Sequence, residues 1–565
     1  MKITDVSIEN YKSINKLNFK PNEGLNAFIG ENSAGKSNIL NAIYWLLGPV
    51  YPSFNSTQTE DRHLGKPENK IKIRLTFDDN RTLELAEEWH FRGEIKSGLN
   101  MDSSYVNDSV RKDYCSGFLG VDRQINDYMP SSRWSLVGRI LQQINEQFKT
   151  EVLDDGTLKS DKLKEELRKV RDELLFSVKD AEGNETMKKF ITILQEESAK
   201  QLNKLPSEFK VDLNLYDPWN FYRTLQILVH EPDTSLDFRA STLGMGMQAS
   251  ISIAVLKAYS EINLANKTPI FIDEPELFLH PQAQRNFYRI LRKLAESGTQ
   301  VFYTTHSPNF LSAGFFDEIF LICKPKDNGT QLIQADVNEF IKDLKYRTGT
   351  DSDKETLLTH YRNACDETGD SQKANEAFFA NKIILVEGSS ESLSLPYMFD
   401  LYEFDYIKEG ITIVRCGSKN ELDRFYRLYN EFGIPCFVIF DGDKHLDSTG
   451  EKNVNIEKNK ELFRLLNGDL NEDYPDGQTK DKYLGFEYEF EQNLGISVPR
   501  DCKGLSLYLK IKSQITNKDD VPAWIGEIIE KISALSRNDI TCCLISSDPN
   551  QSRANENLTS DDIPF

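Results

Sequence analysis

A glycine-rich segment near the N-terminus has the residue types and spacing of a phosphate-binding loop. Residues 30–37, GENSAGKS, fit the pattern G-x-x-x-x-G-K-[S/T]. In this pattern the glycines let backbone N–H groups face phosphate oxygens, and the following helix adds the positive end of its dipole. We expect Lys36 to reach the β- and γ-phosphates of a nucleotide and Ser37 to bind Mg²⁺. The candidate nucleotide-binding residues of this segment are Gly30, Asn32, Gly35, Lys36, Ser37 and Asn38.

Two carboxylates further along the chain can complete a nucleotide site. The apolar run PIFI ends in Asp273 and Glu274, and His306 follows the next apolar run, VFYTT. A carboxylate at a strand end beside the loop can hold the water shell of Mg²⁺, which we assign to Asp273, and Glu274 can polarise the attacking water. His306 is a candidate contact for the γ-phosphate. The alternative interpretations are a solvated acidic turn and a structural histidine.

A second group of carboxylates follows two other apolar runs. Glu387 and Glu391 belong to the segment EGSSE after KIILV, and Asp441 and Asp443 belong to DGD after CFVIF. If the two strands are neighbours in a parallel sheet, their ends bring four carboxylates together, and these need bound cations or strongly raised pKa values. Carboxylate oxygens favour Mg²⁺ or Mn²⁺ over zinc. The alternative is two unrelated acidic turns on the rim of a sheet.

The elements that must position these groups can be predicted from the hydrophobic pattern. The alternating runs MKITDVSIENY, INKLNFK and residues 71–90 predict strands, and LNAFIG followed by SNILNAIYWLL predicts a strand, a loop and a helix. PIFI and QVFYTT predict buried parallel strands that are joined by an amphipathic helix. NKIILVEG, ITIVRCG and IPCFVIFDGD, with helical patterns between them, predict a second, smaller α/β domain.

Length and composition limit the class of protein. The 565 residues predict three to four domains, and 39% hydrophobic with 11% aromatic residues excludes a wholly disordered or fibrous chain. The formal net charge of −21 excludes a generic histone-like coat for nucleic acid. The cysteines form no C-x-x-C pair, and we expect neither a signal peptide nor a membrane span. We therefore expect a protein of the reducing cytoplasm.

A Lys-, Glu- and Leu-rich stretch at residues 151–205 predicts two helices that are broken at Gly183 and Asn184. This stretch is either an inserted arm for partner contact or an ordinary solvated helix pair. The polar residues from 546 onwards predict a disordered tail.

The N-terminal segment NYKSINKLNFKPNEGLNAFIGENSAGKSNILNAI resembles the SMC and RecF-like branch of ABC-type ATPases. The resemblance implies ATP as the nucleotide and a dimer in which a signature segment of one subunit closes over the nucleotide of the other. The candidate segment is STLGMGMQ, with Gly244 and Gly246, and it departs from L-S-G-G-Q because no serine directly precedes its first glycine. Gln124 is a candidate for the glutamine of the Q-loop.

The second series of strands resembles the TOPRIM fold, with Gly388 in its tight turn and Gly417 and Lys419 in the turn between the acidic strands. A TOPRIM domain after an SMC-like ATPase resembles the OLD (overcoming lysogenisation defect) nucleases, over residues 1–150, 225–345 and 381–515. The resemblance implies DNA cleavage by a two-metal mechanism, in which carboxylates hold the ions and orient water while a lysine neutralises the scissile phosphate. The ion-holding carboxylates it implies are Glu387, Glu391, Asp441 and Asp443.

Two further residues are assigned through this resemblance. The downstream acidic ligand is Glu491, with Glu489 as the alternative. The lysine is Lys503, with Lys510 and Lys512 as competitors. For each of them a surface charge is the other interpretation.

We accordingly predict an α/β protein with an ABC-type ATPase domain, an inserted helical arm and a C-terminal, Rossmann-like TOPRIM nuclease domain. The predicted ranges are residues 1–150 and 225–345 for the ATPase domain, 151–224 for the helical insertion and dimerisation arm, 346–380 for a linker, 381–545 for the TOPRIM domain and 546–565 for the tail.

The function predicted from these ranges is an ATP-binding and ATP-hydrolysing, divalent-metal-dependent DNA endonuclease or nickase in anti-phage defence. The alternative is an ATP-driven, SMC-like DNA clamp or scaffold without cleavage activity. A topoisomerase would need a tyrosine nucleophile on a separate DNA-gate domain, and a primase would need template-binding modules; neither is apparent.

The partners expected are DNA, a second copy of the chain or a higher homo-oligomer, and no membrane. The resemblance also implies, as alternatives, a helicase-like protein or a reverse transcriptase with a noncoding RNA. At a net charge of −21, binding to DNA should depend on divalent metal and on local basic stretches, of which KYR at 345–347 and RNFYRILRK at 285–293 are candidates.

Overall fold

The computed structural model describes residues 1–536 with several gaps. The gaps are residues 49–50, 55–56, 88–89, 98–99, 106–115, 121–135, 184, 203–227, 232–234, 262–267, 326–328, 349–350, 368–369, 450–451 and 498–502. The described residues fall into two compact units: those within 1–46, 52–107 and 271–536 form unit 1, and those within 47–51 and 108–270 form unit 2. Over the described part of the chain, no helix combines the length and the apolar character that crossing a membrane requires. The predicted tail at 546–565 lies outside the described residues.

The strands, in chain order, are β1 (Ile3–Tyr11), β2 (Ile14–Phe19), β3 (Leu25–Gly30), β4 (Lys72–Phe77), β5 (Arg81–Ala86), β6 (His90–Ser97), β7 (Asn100–Tyr105), β8 (Gly117–Leu119), β9 (Leu228–Glu231), β10 (Leu236–Arg239), β11 (Ile270–Ile272), β12 (Val301–Thr304), β13 (Ile319–Cys323), β14 (Gln331–Ile333), β15 (Lys382–Val386), β16 (Ile411–Arg415), β17 (Cys436–Asp441) and β18 (Tyr483–Phe486). The α-helices are α1 (Lys36–Leu47), α2 (Leu136–Thr150), α3 (Lys159–Val170), α4 (Thr186–Leu202), α5 (Met245–Glu261), α6 (Pro281–Glu296), α7 (Val337–Thr348), α8 (Lys354–Glu367), α9 (Ser371–Glu376), α10 (Ser389–Leu401), α11 (Lys419–Glu431), α12 (Lys452–Leu466), α13 (Phe490–Asn493), α14 (Lys503–Gln514) and α15 (Ala523–Ala534).

An antiparallel sheet in unit 1 has the strand order β2-β1-β4-β5-β6-β7. The alternating apolar residues of β1 and β4 place one face of each strand in the core, so Ile8 pairs with Ile73 and both are fully buried. The hairpin predicted within residues 71–90 is formed by β4 and β5, and its turn has Asn80 at φ +63°. Asparagine tolerates this left-handed conformation better than most residues do.

A second, mostly parallel sheet in unit 1 carries the glycine-rich segment. Five of its strands lie in the order β14-β13-β3-β12-β11, and β12 and β13 both run parallel to the central strand β3. All six residues of β3 are buried, which explains its continuous apolar sequence. The chain leaves β3 at Gly30 and enters α1 at Lys36, so the glycine-rich loop lies between a central strand and a helix, as predicted.

A four-stranded sheet in the C-terminal part of unit 1 has the order β16-β15-β17-β18, and all its pairs are parallel. Leu385 pairs with Val438 and Val386 with Ile439, so the C-terminal ends of β15 and β17 are adjacent. Helices α10 and α14 cover this sheet, with Leu395, Leu507 and Ile511 in a continuous apolar core. The two strands that end in acidic residues are therefore neighbours in a parallel sheet, which was the condition for bringing the four carboxylates together.

Helices α7, α8 and α9 connect the two parallel sheets, so much of the described part of residues 346–380 is helical. Within this connection, Asn375 on α9 makes three hydrogen bonds to the loop that follows β12. Its Nδ2 donates to the carbonyl oxygens of Pro308 (3.2 Å) and Leu311 (2.8 Å), and its Oδ1 accepts from the backbone N–H of Ala313 (2.9 Å). The helical connection is therefore hydrogen-bonded to a loop of the sheet that contains β12.

Unit 2 contains α2 to α5 and the β9–β10 hairpin. Two helices, α3 and α4, occupy the predicted Lys- and Glu-rich stretch, but the first ends earlier than predicted, in a π-helical turn at Arg171–Leu175. Gly183, with φ +86°, lies in the turn before α4, and Asn184 lies outside the described residues. Phe190 and Ile193 of α4 are each 52% exposed, so this helix presents apolar side chains at its surface.

Candidate functional site

The loop between β3 and α1 is shaped by two glycines with positive φ. Gly30 has φ +135° and Gly35 has φ +111°, and a Cβ on Gly30 would lie 2.0 Å from the carbonyl oxygen of Ile322. Lys36 Nζ donates to the carbonyl oxygens of Gly30 (3.0 Å) and Glu31 (2.9 Å), so the ammonium group lies across the loop. Burial lowers the pKa of Lys36, and the surrounding carboxylates, Glu274 first, oppose that shift.

Asp273 is the centre of the hydrogen bonds that join this loop to β11 and β12. The Ser37 hydroxyl donates to Asp273 Oδ1 (3.1 Å), and the Thr304 hydroxyl donates to the same oxygen (2.5 Å). Glu274 follows with φ +48°, and its N–H donates to Thr304 Oγ1 (2.9 Å). The structure therefore brings Lys36, Ser37 and Asp273 together as predicted, and adds Thr304, which no motif had indicated.

His306 lies beside this group and is held through its backbone by Glu276. Glu276 Oε1 accepts from the His306 N–H (2.5 Å), and Oε2 accepts from the Thr305 hydroxyl (2.9 Å). Burial raises the pKa of Glu276. The pKa of His306 is lowered by burial and by the charge of Lys36, and the charge of Asp273 opposes this shift. The imidazole is therefore close enough to interact electrostatically with both residues. Sequence analysis missed Glu276, although it stands two residues after Glu274 in the same acidic turn.

Other residues predicted for the nucleotide site are placed differently. The Asn38 side chain donates to Ser13 Oγ (2.7 Å) in the β1–β2 turn, and Asn32 is exposed. Gly244 and Gly246 are exposed at the start of α5 in unit 2. Gln124 lies outside the described residues.

The four predicted carboxylates lie at the adjacent ends of β15 and β17. Glu387 directly follows β15, and Asp441 is the last residue of β17. The N–H of Phe490 donates to Asp441 Oδ1 (2.9 Å), and the N–H of Gly388 donates to Glu391 Oε2 (3.1 Å). These backbone donors fix the orientation of two of the carboxylates.

Glu491, on the short helix α13, joins the same group. The Ser390 hydroxyl donates to Glu491 Oε1 (2.6 Å), and both Glu391 and Glu491 are almost fully buried. We call this group the carboxylate cluster; it consists of Glu387, Glu391, Asp441, Asp443 and Glu491. The alternative, Glu489, instead lies 3.3 Å from His445 Nε2.

The electrostatics of the carboxylate cluster show that its members repel one another. Burial, reinforced by Asp443, raises the pKa of Glu387 from 4.5 to about 7, although Lys419 opposes the shift. Burial, reinforced by Glu387 and Glu491, raises the pKa of Glu391 to about 7. Asp441 has its pKa raised well above the ordinary value, first by burial and then by Glu391. Such a cluster must bind protons or cations at neutral pH.

The donor set suits a divalent cation such as Mg²⁺ or Mn²⁺. The ligands are carboxylate oxygens, and Glu387 Oε2 is buried with no hydrogen-bond partner among the described residues, which is costly unless a cation or proton reaches it. Among the described residues, no three His, Cys, Asp or Glu side chains are arranged to hold a metal ion as they stand. The carboxylates are adjacent, so ion binding would require side-chain rotation rather than a change of fold.

A lysine contacts the carboxylate cluster, and it is not one of the three that were predicted to serve there. Lys419 Nζ lies 2.7 Å from Asp443 Oδ2. Lys510 and Lys512 are exposed, and the side chain of Lys503 lies outside the described residues. The N-terminus of α14 nevertheless lies beside the cluster, because a Cβ on Gly504 would lie 2.3 Å from Ser389 Oγ. Lys419 follows the glycine-containing turn after β16, and this position between the two acidic strands is the feature by which it could be recognised in the sequence.

Two family models match the chain. The AAA ATPase domain matches residues 1–115 and 66–311, which together exceed half of the chain. The TOPRIM domain of overcoming-lysogenization-defect-like proteins matches residues 378–443, a segment that contains four members of the carboxylate cluster.

Two of three named relatives match most of the chain. An OLD nuclease of Thermus scotoductus is 27% identical over 78% of this chain and 81% of its own length. The Old nuclease of Escherichia phage P2 is 26% identical over 78% of this chain and 77% of its own length. The endonuclease GajA of Bacillus cereus is 24% identical over 45% of this chain and 39% of its own length.

Proposed function

We propose that this chain is a DNA endonuclease or nickase that hydrolyses ATP and depends on divalent cations. It belongs to the OLD family of proteins, which join an AAA-type ATPase domain to a TOPRIM domain. The observation that supports this most strongly is the parallel pairing of β15 with β17. That pairing brings Glu387 and Asp441 to one edge of one sheet, which supports a cation site between them.

In this proposal the carboxylate cluster binds the cations, and neighbouring groups orient the carboxylates and contact the phosphate. Glu387, Glu391, Asp441, Asp443 and Glu491 would hold Mg²⁺ or Mn²⁺. When bound, the ions supply an activated water and neutralise charge on the scissile phosphate. The backbone N–H groups of Phe490 and Gly388 keep Asp441 and Glu391 oriented. Lys503, at the start of α14, is proposed to approach the phosphate.

The ATPase half uses its own set of side chains. Lys36 and the N–H groups of the glycine-rich loop would bind the phosphates, and Ser37 with Asp273 would hold Mg²⁺. Glu274 would orient the attacking water, and His306 would contact the γ-phosphate. Thr304 links Glu274 to Asp273, because its hydroxyl accepts from the Glu274 N–H and donates to Asp273 Oδ1. Glu276 separately holds the backbone of His306.

Plasmid cleavage tests this function. Purified protein is incubated with supercoiled plasmid and Mg²⁺ or Mn²⁺, with and without ATP, and ATP turnover is measured on the same samples. We expect nicked or linear product from the wild type, and at least a hundredfold less from Asp441→Ala, which keeps its ATP turnover. Lys36→Ala is the reciprocal control, with ATP turnover lost.

Two results would contradict the proposal. Cleavage that survives both Asp441→Ala and Asp443→Ala would remove the assignment of the site. ATP turnover with an intact plasmid under every metal condition would favour a clamp or scaffold without cleavage.

The setting and assembly of the protein are part of the proposal. A homodimer or higher homo-oligomer, through unit 2 and the segment around Gly244 and Gly246, is supported by the exposed apolar side chains of α4. Among the described residues, Cys416 and Cys436 are buried and form no disulfide, which suits a reducing cytoplasm. A role in anti-phage defence, with or without a partner protein or RNA, is proposed from the family, and so is the division of the chain into the ranges given above.

A further inference from the structure

Lys419 is a buried cation at the edge of the carboxylate cluster. Its side chain is 5% exposed, and Nζ contacts Asp443 Oδ2 at 2.7 Å and Asn459 Oδ1 at 3.1 Å. A buried ammonium group persists only when it is paired and hydrogen-bonded, and both partners here are provided by other elements. The placement of Lys419 is therefore built into the fold.

The backbone on either side of Lys419 fixes its position. The preceding turn is bonded to β15, with the N–H of Gly417 donating to the carbonyl oxygen of Glu387 (2.8 Å). Gly417 has φ +95°, a conformation that favours glycine. The lysine then begins α11, so its side chain projects from a rigid helix end towards the turn that contains Asp443.

Asn459, on α12, holds the other side of this arrangement. It is fully buried, and its Nδ2 donates to the carbonyl oxygens of Gly442 (3.1 Å) and Asp473 (3.1 Å), while its Oδ1 accepts from Lys419. One amide thus ties the backbone of the D-G-D turn to the ammonium group that pairs with Asp443. Asp443 has φ +59°, so its backbone conformation also depends on these constraints.

We propose that Lys419 is a positioning residue that acts as a built-in counter-ion of the carboxylate cluster: it holds Asp443 while no divalent cation is bound, and an arriving cation must compete with it for that carboxylate. Asn459 is the second positioning residue, which orients Lys419 and the D-G-D turn together. The inference rests on the proposed function, because it takes the carboxylate cluster to be a cation site. It assigns to Lys419 a control over cation affinity rather than contact with DNA.

The direction of the change in cation affinity on removal of Lys419 distinguishes a counter-ion from a purely structural residue. A unit positive charge a few ångströms from a divalent cation weakens cation binding by at least about tenfold at the effective dielectric of a protein. Removal of that charge should therefore tighten divalent binding, whereas removal of a purely structural contact should weaken it. Without a cation, the same removal leaves Asp443 without its counter-ion and Asn459 Oδ1 without its donor, so the protein should be less stable.

Binding of Mn²⁺ to the nucleotide-free, full-length protein tests the inference, with electron paramagnetic resonance of the free ion as the readout. The Mn²⁺ bound at the carboxylate cluster is measured as the part of the total Mn²⁺ binding that Asp441→Ala removes. We expect Lys419→Met and Lys419→Gln to bind Mn²⁺ about tenfold more tightly than the wild type. Lys419→Arg, which keeps the charge, should stay near the wild-type affinity. The matched control is Lys531→Met, which removes a charge that pairs with Asp481 on the surface and should leave the affinity unchanged.

Thermal unfolding gives a second readout on the same proteins. Both neutral variants should melt at a lower temperature than the wild type without metal, and should gain more from Mn²⁺. Unchanged or weaker Mn²⁺ binding in both neutral variants would overturn the inference, and so would their failure to fold even with Mn²⁺ present. If Asp441→Ala still abolishes cleavage in that case, the proposed function stands. If the wild type binds no more Mn²⁺ than Asp441→Ala does, both the inference and the proposed function are overturned.

Discussion

Buried carboxyl groups make the stability of this protein depend on pH near neutrality. Glu387 and Glu391 have pKa values of about 7 in the folded protein, against 4.5 for an ordinary glutamate. A carboxyl whose folded pKa is raised binds its proton more tightly when folded, so its stabilisation is complete below the unfolded pKa and is lost as pH rises through 7. The metal-free protein should therefore become less stable between about pH 5 and pH 8.

Thermal unfolding in a chelator between pH 5 and pH 8 checks this expectation. The melting temperature should fall by several degrees, and Mg²⁺ or Mn²⁺ should restore it most at the higher pH, where cations do not compete with protons. Glu387→Gln should flatten the dependence, because the amide cannot titrate. A metal-free melting temperature that rises steadily over this range would contradict the pKa directions.

Glu276 is expected to support ATP turnover without contacting the nucleotide. Its carboxylate accepts hydrogen bonds from the His306 N–H and the Thr305 hydroxyl, and hydrogen bonds to a charged group contribute about 1.5–3 kcal/mol each. Glu276→Ala should therefore lower ATP turnover at least about tenfold. It should lower stability by about 1–3 kcal/mol, because the substitution also removes the cost of burying the carboxylate, which offsets part of the two lost bonds. Steady-state ATPase kinetics check this, and turnover equal to the wild type would show that the His306 loop holds its position without Glu276.

The turn after β17 is an element that tolerates no side chain at its centre. A Cβ on Gly442 would lie 2.7 Å from the carbonyl oxygens of both Phe486 and Glu487, and the N–H of Gly442 is bonded to Phe486 (2.6 Å). Gly442→Ala should displace Asp441 and Asp443, so that plasmid cleavage and Mn²⁺ binding fall by at least an order of magnitude while ATP turnover is kept.

Gly477→Ala is the matched control for that turn. Gly477 has φ +77° and open space around it, so alanine there adds backbone strain without displacing a carboxylate. This variant should lose some stability and keep its cleavage. Equal loss of cleavage in both variants would show that general destabilisation, rather than the turn, is responsible.

Much of the element pattern could be predicted from sequence because the buried strands end at chemically distinctive residues. The phosphate loop, Asp273 at the end of β11 and the two acidic strand ends were all predicted by residue number, and the structure places each at a strand or helix end. The adjacency of β15 and β17 could not be derived, since strand order depends on tertiary packing. Lys419 was predicted only as part of the turn after β16, because its pairing with Asp443 depends on how the elements pack. Asn459 was not predicted at all, because an asparagine within a helix has no distinctive pattern in the sequence.

At the scale of the whole molecule, α9 connects the nucleotide-binding half to the TOPRIM half within unit 1. Asn375 ties α9 to the loop that follows His306, and the Tyr429 hydroxyl on α11 donates to the carbonyl oxygen of Ala374 (2.8 Å). The loop beside the ATP site and the helix after β16 are therefore bonded to the same short helix. We expect this connection to carry the effect of ATP on cleavage, whichever sign that effect has.

Asn375→Ala tests this connection. The substitution leaves Pro308, Leu311 and Ala313 without their side-chain partner, so the ratio of cleavage rates with and without ATP should move at least twofold towards unity. ATP turnover and ATP-free cleavage should both stay within twofold of the wild type. A ratio equal to that of the wild type would show that the halves communicate by another route.

The account depends most on one claim, that the ends of β15 and β17 hold divalent cations. Anomalous scattering from crystals grown with Mn²⁺ locates those ions directly. We predict at least one peak within coordination distance of Glu387 and Asp441, and its loss in crystals of Asp441→Ala. Peaks confined to Ser37 and Asp273, or no ordered Mn²⁺ between β15 and β17, would contradict the claim and leave an ATPase without a nuclease site.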